Sequence, residues 1–220
     1  MICISYVGIE AFDVILYLSR TLSKLNLRVL IIDQSDTEAL YLSMNHAMGL
    51  DSDKEIIHYR GVYYTKKIPN QEEMSAFQEG VVIMSFGLEY KGDMPFLCDE
   101  FNVVINTFPH IVGRMNEMIS VNGIRAKKIR ILIRDITSID DLERVKGEFT
   151  FPYDKQREDY LDYSVADRES ALACQVNQVI QFTRVSGRMK KHILSHTQEL
   201  FPGIPYGNIK NAYHNARKGR

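Results

Sequence analysis

The sequence predicts an α/β fold with a mostly parallel central sheet and helices on both faces. Two observations carry this. Strand-like and helix-like segments alternate along most of the chain, which is the pattern of βαβ units. Strand candidates such as Val29-Leu30-Ile31-Ile32 are apolar at every position rather than at alternate ones, as strands covered on both faces are. With 220 residues, 45% of them apolar and 25% charged, the chain can fill one sizeable core.

Taken in order, residues 1–7 read as a buried strand. Residues 11–25 read as a helix, because Val14, Leu18, Leu22 and Leu25 recur at three- and four-residue steps. The strand at 28–33 ends in Asp33, residues 37–48 look helical, and Gly61 to Thr65 is a short strand candidate. A short helix at Gln71 to Gln78 precedes strands at 81–85 and 102–106. Pro109 suits the first turn of the next helix, whose inner face holds Ile111, Met115, Met118 and Ile119. Residues 128–133 give another strand, and Ser138 offers an N-cap to a helix carrying Leu142 and Val145. Phe149 to Pro152 reads as a short strand, and helices at about 165–182 and 187–200 close the series. Strands 1–7, 28–33, 81–85, 102–106 and 128–133 belong at the centre of the sheet. The expected organisation is one domain over 1–200 and a basic tail over 201–220.

Charge and cysteine content exclude several classes. The net charge is -1, and no apolar run is long enough to cross a membrane. The N-terminus has no basic region of the signal-peptide kind, so a cytoplasmic location is expected. Cys3, Cys98 and Cys174 are too scattered for a disulfide framework or a zinc site. The charge is unevenly spread. Residues 181–220 carry eight Lys/Arg against a single acid, Glu199, a surplus of seven, so the first 180 residues carry a deficit of eight. Arg184, Arg188, Lys190, Lys191, Lys210, Arg217, Lys218 and Arg220 form that basic end. Such a segment either solvates the chain or contacts DNA, anionic lipid or an acidic partner.

The first 36 residues are the informative ones: strand, loop, amphipathic helix, then a buried strand ending in Ile31-Ile32-Asp33-Gln34-Ser35-Asp36. This unit resembles the ParA/MinD family of deviant Walker-type ATPases, a P-loop NTPase-like fold. In that family the P-loop lysine lies 22 residues before the first Asp of an Asp-x-Asp motif, and counting back from Asp33 lands on Ala11. The loop is then Ser5 to Asp13. A working P-loop needs small residues that let backbone N–H groups wrap phosphate, a lysine, and a Ser/Thr hydroxyl for magnesium. Against that pattern Ala11 stands at the lysine, Phe12 at the magnesium ligand and Tyr6 at the family's signature lysine, with Gly8 the one surviving glycine. Glu10 adds a carboxylate that repels a phosphate charge by roughly 4 kcal/mol at about 4 Å. Burying either ring of Tyr6 or Phe12 gains roughly 1.5–3 kcal/mol, so at least one should fold inward and close the pocket.

Later positions depart in the same direction. Ser35 replaces the second carboxylate of Asp-x-Asp, and Ser85 stands where a Walker-B-type Asp would end its strand. Arg134 or Asp135 occupies the place of an adenine-reading Asn, while Phe151-Pro152-Tyr153-Asp154 resembles the family's segment ending in Asp near the base. The resemblance implies a non-catalytic scaffold, similar to the TadZ/CpaE proteins of pilus assembly, with no cofactor and no expected ATP binding. Its partner would be another protein or a second copy of the chain, with peripheral membrane or nucleic-acid contact through the basic end. The alternative is a regulatory protein that binds a nucleotide or small molecule, or a DNA-partition protein that uses the basic end. Other constellations read as structural. His192 and His196 lie four apart on a helix without a neighbouring ligand and read as a solvated face, not a metal site. Arg157 to Tyr163 reads as a loop, and Met44, Met48, Met115 and Met118 as core or interface filler.

Overall fold

The computed structural model describes residues 1–42, 44, 56–92, 94 and 97–219. The chain runs β1 (Ile2–Gly8), α1 (Phe12–Ser23), β2 (Val29–Asp33), α2 (Ala39–Leu42), β3 (Ile57–Tyr59), β4 (Val62–Thr65), α3 (Gln71–Ser75), β5 (Val81–Ser85), β6 (Glu100–Ile105) and α4 (Pro109–Asn122). It continues through β7 (Ile129–Ile136), α5 (Ile139–Glu148), a 3-10 turn (Lys155–Arg157), β8 (Glu158–Asp162), α6 (Val165–Asn177), α7 (Gly187–Leu200) and α8 (Tyr206–Arg217). Among the described residues the sheet has eight strands in the order β3-β4-β2-β5-β1-β6-β7-β8. All neighbours are parallel except β3, which pairs antiparallel with β4 at one edge.

Alternation along each strand builds two layers. In β1, Ile4 and Tyr6 face one core with α1, α7 and α8, while Cys3 and Val7 face the other with α3, α4 and α5. The fully apolar strands therefore lie between two helical layers, as their composition requires. Every residue of α1 from Phe12 to Leu22 is buried, so a sheet contact alone does not cover this helix. Its outer side is covered by α8, which buries Ile209, Ala212, Tyr213 and Ala216 at three- and four-residue steps.

The structure corrects several expectations. The segment read as a polar tail holds α8, packed on α1. The short strand at Phe149 to Pro152 is absent; Phe149, Phe151 and Tyr153 instead pack ring against ring. The loop expected at Arg157 to Tyr163 contains β8, which pairs with β7. Helix α6 stops at Asn177, where Gln178 takes a left-handed φ of 50°. Helix α2 covers part of the helix expected at 37–48; Ser43 and Asn45 to Met48 lie outside the described residues, as does Arg220 of the basic end.

Replacing Ile209 with Ala should cost about 2–5 kcal/mol of unfolding free energy, because the side chain is fully buried between α8 and α1. Urea denaturation followed by circular dichroism reads this. A change below about 0.5 kcal/mol is what an exposed tail would give.

Candidate functional site

The carboxyl end of β1 leads into α1 through Ile9, Glu10 and Ala11. Gly8 makes this turn with φ 117°, and a Cβ there would sit 2.0 Å from the Val104 carbonyl oxygen, so no other residue fits. The Gly8 N–H donates to the Gly87 carbonyl at 2.8 Å, and the Ile9 N–H donates to the Val104 carbonyl at 2.9 Å. Two backbone donors at the start of the loop are thus spent inside the protein. Ala11 is the N-cap of α1 and makes no side-chain cap bond.

The positive end of α1 is met by the chain's own charges. Buried Asp13 accepts the Val14 N–H at 2.9 Å through Oδ1. Both Asp13 oxygens then pair with Arg134, each at 2.7 Å, and Arg134 also donates to the Glu10 carbonyl at 3.2 Å. A bulge near the end of β7 aims Arg134 here. Ile133 and Ile136 both pack into the α4 and α5 core, and Asp135 between them has a left-handed φ of 55°. Burial opposes the Arg134 charge, but Asp13 outweighs it and holds the guanidinium above its ordinary pKa.

Tyr6 and Phe12 are both buried. Tyr6 faces the α1 side of the sheet, and burial pushes its phenol well above the usual range. Both rings fold inward, as the burial argument required of at least one. Glu10 is exposed and accepts a hydrogen bond from Thr37. Asp33 is committed to structure. One oxygen accepts from Ser35 N and Oγ at 3.2 and 2.6 Å, and the other accepts the Leu40 and Tyr41 N–H groups, each at 3.0 Å. Ser35 therefore serves the turn before α2. Ser85 is buried beside them and gives its carbonyl to the Gln34 N–H at 2.7 Å.

Asp154 does not join this loop. It caps the 3-10 turn and pairs with Arg157 at 3.2 Å. The basic residues divide between two helices and their flanks. Arg184, Lys190, Lys191, Lys210 and Lys218 are exposed, Arg217 is half-buried, and Arg188 pairs with Asp162 at 3.3 Å. A cleft of about 430 Å³ lies beside the loop, between Glu10, Phe12, Arg134, Asp135, Arg168 and Leu172. Among the described residues no group of three His, Cys, Asp or Glu side chains is placed to hold a metal, and no helix is long and apolar enough to cross a membrane.

A second charged group escaped the sequence reading. His192 and His196 are buried, not solvated. His192 Nδ1 lies 3.1 Å from Asp159, and His196 Nε2 lies 2.5 Å from Glu100. Arg130 sits between the acids, 3.2 Å from Glu100, 2.6 Å from Asp159 and 2.5 Å from Glu199. Arg157 adds a contact of 3.0 Å to Glu199. Glu100, Arg130 and Asp159 open the α7-facing rows of β6, β7 and β8, which continue through Asn102 and Val104, Leu132, and Leu161. Polar residues at alternate positions inside apolar strands, set against an i, i+4 histidine pair, were the available signal. Burial works against the Glu100 and Asp159 charges, but the histidines and Arg130 outweigh it. Glu100 is held well below the usual carboxylate range, and Asp159 falls to about 2. Burial lowers the pKa of His192 despite Asp159.

The mostly parallel sheet with helices on both faces, and the loop running from its central β1 into a buried helix, give a fold that the chain shares with solved ParA and MinD-complex structures. A ParA family ATPase from Chlorobium tepidum TLS superposes with a TM-score of 0.59 at 16% identity, covering 89% of this chain and 98% of that one. A chain of the MinC:MinD cell division protein complex of Aquifex aeolicus gives 0.56 at 11% identity, covering 93% and 98%. The pNOB8 ParA bound to nonspecific DNA gives 0.53 at 9% identity, covering 90% and 99%. At these identities the likeness is one of fold. No family model and no curated protein sequence matches the chain.

Two outcomes follow from the charges. Arg134→Ala leaves the Asp13 carboxylate buried without its partner and should cost about 3–5 kcal/mol; a loss below about 1 kcal/mol in urea titration would mean that the pair is a surface contact. Folding lowers the proton affinity of His192, Glu100 and Asp159, so the unfolded chain binds more protons. Stability is therefore full above the ordinary histidine pKa of about 6.5 and falls as pH drops, first through His192 and then through the carboxyls. Melting temperature measured from about pH 7.5 down to about pH 4.5 should fall. In His192→Asn the decline between about pH 6.5 and 5 should be shallower.

Proposed function

We propose that this chain is a ParA/MinD-like pseudo-ATPase that acts as a non-catalytic localisation or assembly scaffold, of the kind that serves a pilus or secretion machine. The observation that carries the reading is the Asp13–Arg134 pair at the N-terminus of α1. That position in a P-loop protein receives phosphate, because free N–H groups and the helix dipole favour an anion there. Here a carboxylate tethered to the helix supplies the anion, and a guanidinium from β7 neutralises it. A triphosphate would have to displace a buried bidentate pair and approach Glu10, with Ala11 offering no lysine and Phe12 no magnesium ligand. Substitution of the nucleotide by an internal ion pair leaves the fold in one fixed state, which suits a platform and not a switch.

The partner is read from surface chemistry. The exposed lysines of α7 and α8 suit an acidic or polyanionic surface, and two of the structural neighbours are described with a protein partner and with nonspecific DNA. A second reading, a regulatory protein that binds a small ligand, draws on the cleft of about 430 Å³ beside the loop.

The purified chain should hydrolyse no ATP above background with magnesium present. The double replacement Ala11→Lys with Phe12→Thr should also fail to restore binding, because Tyr6, Glu10 and the Asp13–Arg134 pair remain. Magnesium-dependent turnover that disappears on changes within residues 5–13 would sink the scaffold reading. Saturable stabilisation by a small ligand, lost on altering Leu172 or Arg168 in the cleft, would favour the regulatory one.

A further inference from the structure

Helix α6 is inside out. Its buried residues are Asp167, Ser170 and Cys174, and Asp167 ties it to the start of α7 by accepting from Ser186 N and Oγ at 2.5 and 2.6 Å. Its apolar residues point away from the protein: Val165 is 57% exposed, Leu172 60% and Val176 71%. With Arg168 and Glu169 between them, these positions follow the i, i+3, i+4, i+7, i+11 spacing of a helix face built to pack. Aliphatic side chains aligned on one face and left in water mark a contact surface, unlike single exposed residues scattered over a protein. Arg168 stacks over the Tyr163 ring, with its guanidinium carbon 5.5 Å from the centroid. Among the described residues neither Arg168 nor Glu169 forms an ion pair within its own chain.

We propose that this face docks on α6 of a second copy of the chain, antiparallel, about a two-fold axis passing between residues 168 and 169. A two-fold contact must be self-complementary, and the charge order selects the geometry. With the axis there, Val165 meets the second copy's Leu172, Arg168 meets the second copy's Glu169, and both contacts recur on the other side. A parallel pairing would set Arg168 against Arg168 and Glu169 against Glu169, which like-charge repulsion opposes. An antiparallel register that paired Val165 with Val176 would press Glu169 onto Leu172 and leave Arg168 against Ala173. The chosen register pairs both charges and sets Val165 on Leu172 at each end of the contact, with Val176 lying beyond it. This surface uses no loop residue and needs no nucleotide, so its success or failure is separate from the ATP-silent reading above.

Sedimentation velocity of the full chain without nucleotide, from about 1 μM to about 200 μM, tests it. The native chain should shift from monomer to dimer over this range. Leu172→Asp should abolish the shift, and Arg168→Glu or Glu169→Arg alone should weaken association at least tenfold. The double variant Arg168→Glu with Glu169→Arg recreates the pair in reverse and should recover most of the affinity, which a merely structural role would not produce. All the substituted side chains are on the surface, and circular dichroism confirms that each variant is folded before it is compared. A native chain that stays monomeric, a dimer indifferent to Leu172→Asp, or a folded double variant as weak as its parents overturns the proposal.

Discussion

A helix that starts at the carboxyl end of a central parallel strand exposes unpaired N–H groups and the positive end of its dipole to whatever lies in the preceding loop. The rest of this structure is arranged around how that demand is met. In α1 it is met by Asp13, in the first turn of the helix, backed by Arg134 from β7. The bulge at Asp135, the short loop at Ile9 to Ala11 and the close approach of Gly8 to Val104 all bring the two charges together. That pair sets an anion and its counter-charge at the helix terminus from within the chain. Tyr6 and Phe12 both join the core on the α1 side of the sheet, and Phe12 also lines the cleft beside the loop.

The other side of α1 accounts for the carboxyl-terminal third of the chain. A helix buried around its whole circumference must be covered twice, and α7 and α8 supply the second cover. Helix α7 crosses the sheet where β6, β7 and β8 present Glu100, Arg130 and Asp159. An apolar helix would strand those charges, so α7 brings His192, His196 and Glu199 to them. Each ion finds an opposite partner within hydrogen-bond reach, which is the condition for burying charge at tolerable cost. The arrangement favours one seating of α7, since a shift of one residue would break both histidine contacts.

The central strands were legible because burial on both faces leaves continuous apolar runs, and short runs of that kind between turn residues fit little but a doubly covered strand. The elements missed were those whose burial is partial or charged. β8 reads Glu158-Asp159-Tyr160-Leu161-Asp162, and its carboxylates belong to the polar layer and to solvent, so its composition imitates a loop. The spacing of Ile209, Ala212, Tyr213 and Ala216 in α8 was present in the sequence, but the surrounding lysines and glycines hid it. The histidines were misplaced because their partners, Glu100 and Asp159, come from strands far away in the chain. At the loop, the departures from the P-loop residue pattern were visible by type. The Asp13–Arg134 pair was not, because a contact between positions 13 and 134 depends on the bulge in β7.

Engagement of the loop amides inside the protein is the central claim, and those amides can be observed one by one. In a ¹⁵N-labelled sample, the amide signals of Gly8, Ile9 and Val14 should stay in place as magnesium-ATP is added to millimolar excess. Saturable movement of those signals at micromolar ATP, with loss of the Arg134 side-chain contact to Asp13, would show that the loop opens to nucleotide and would contradict the account.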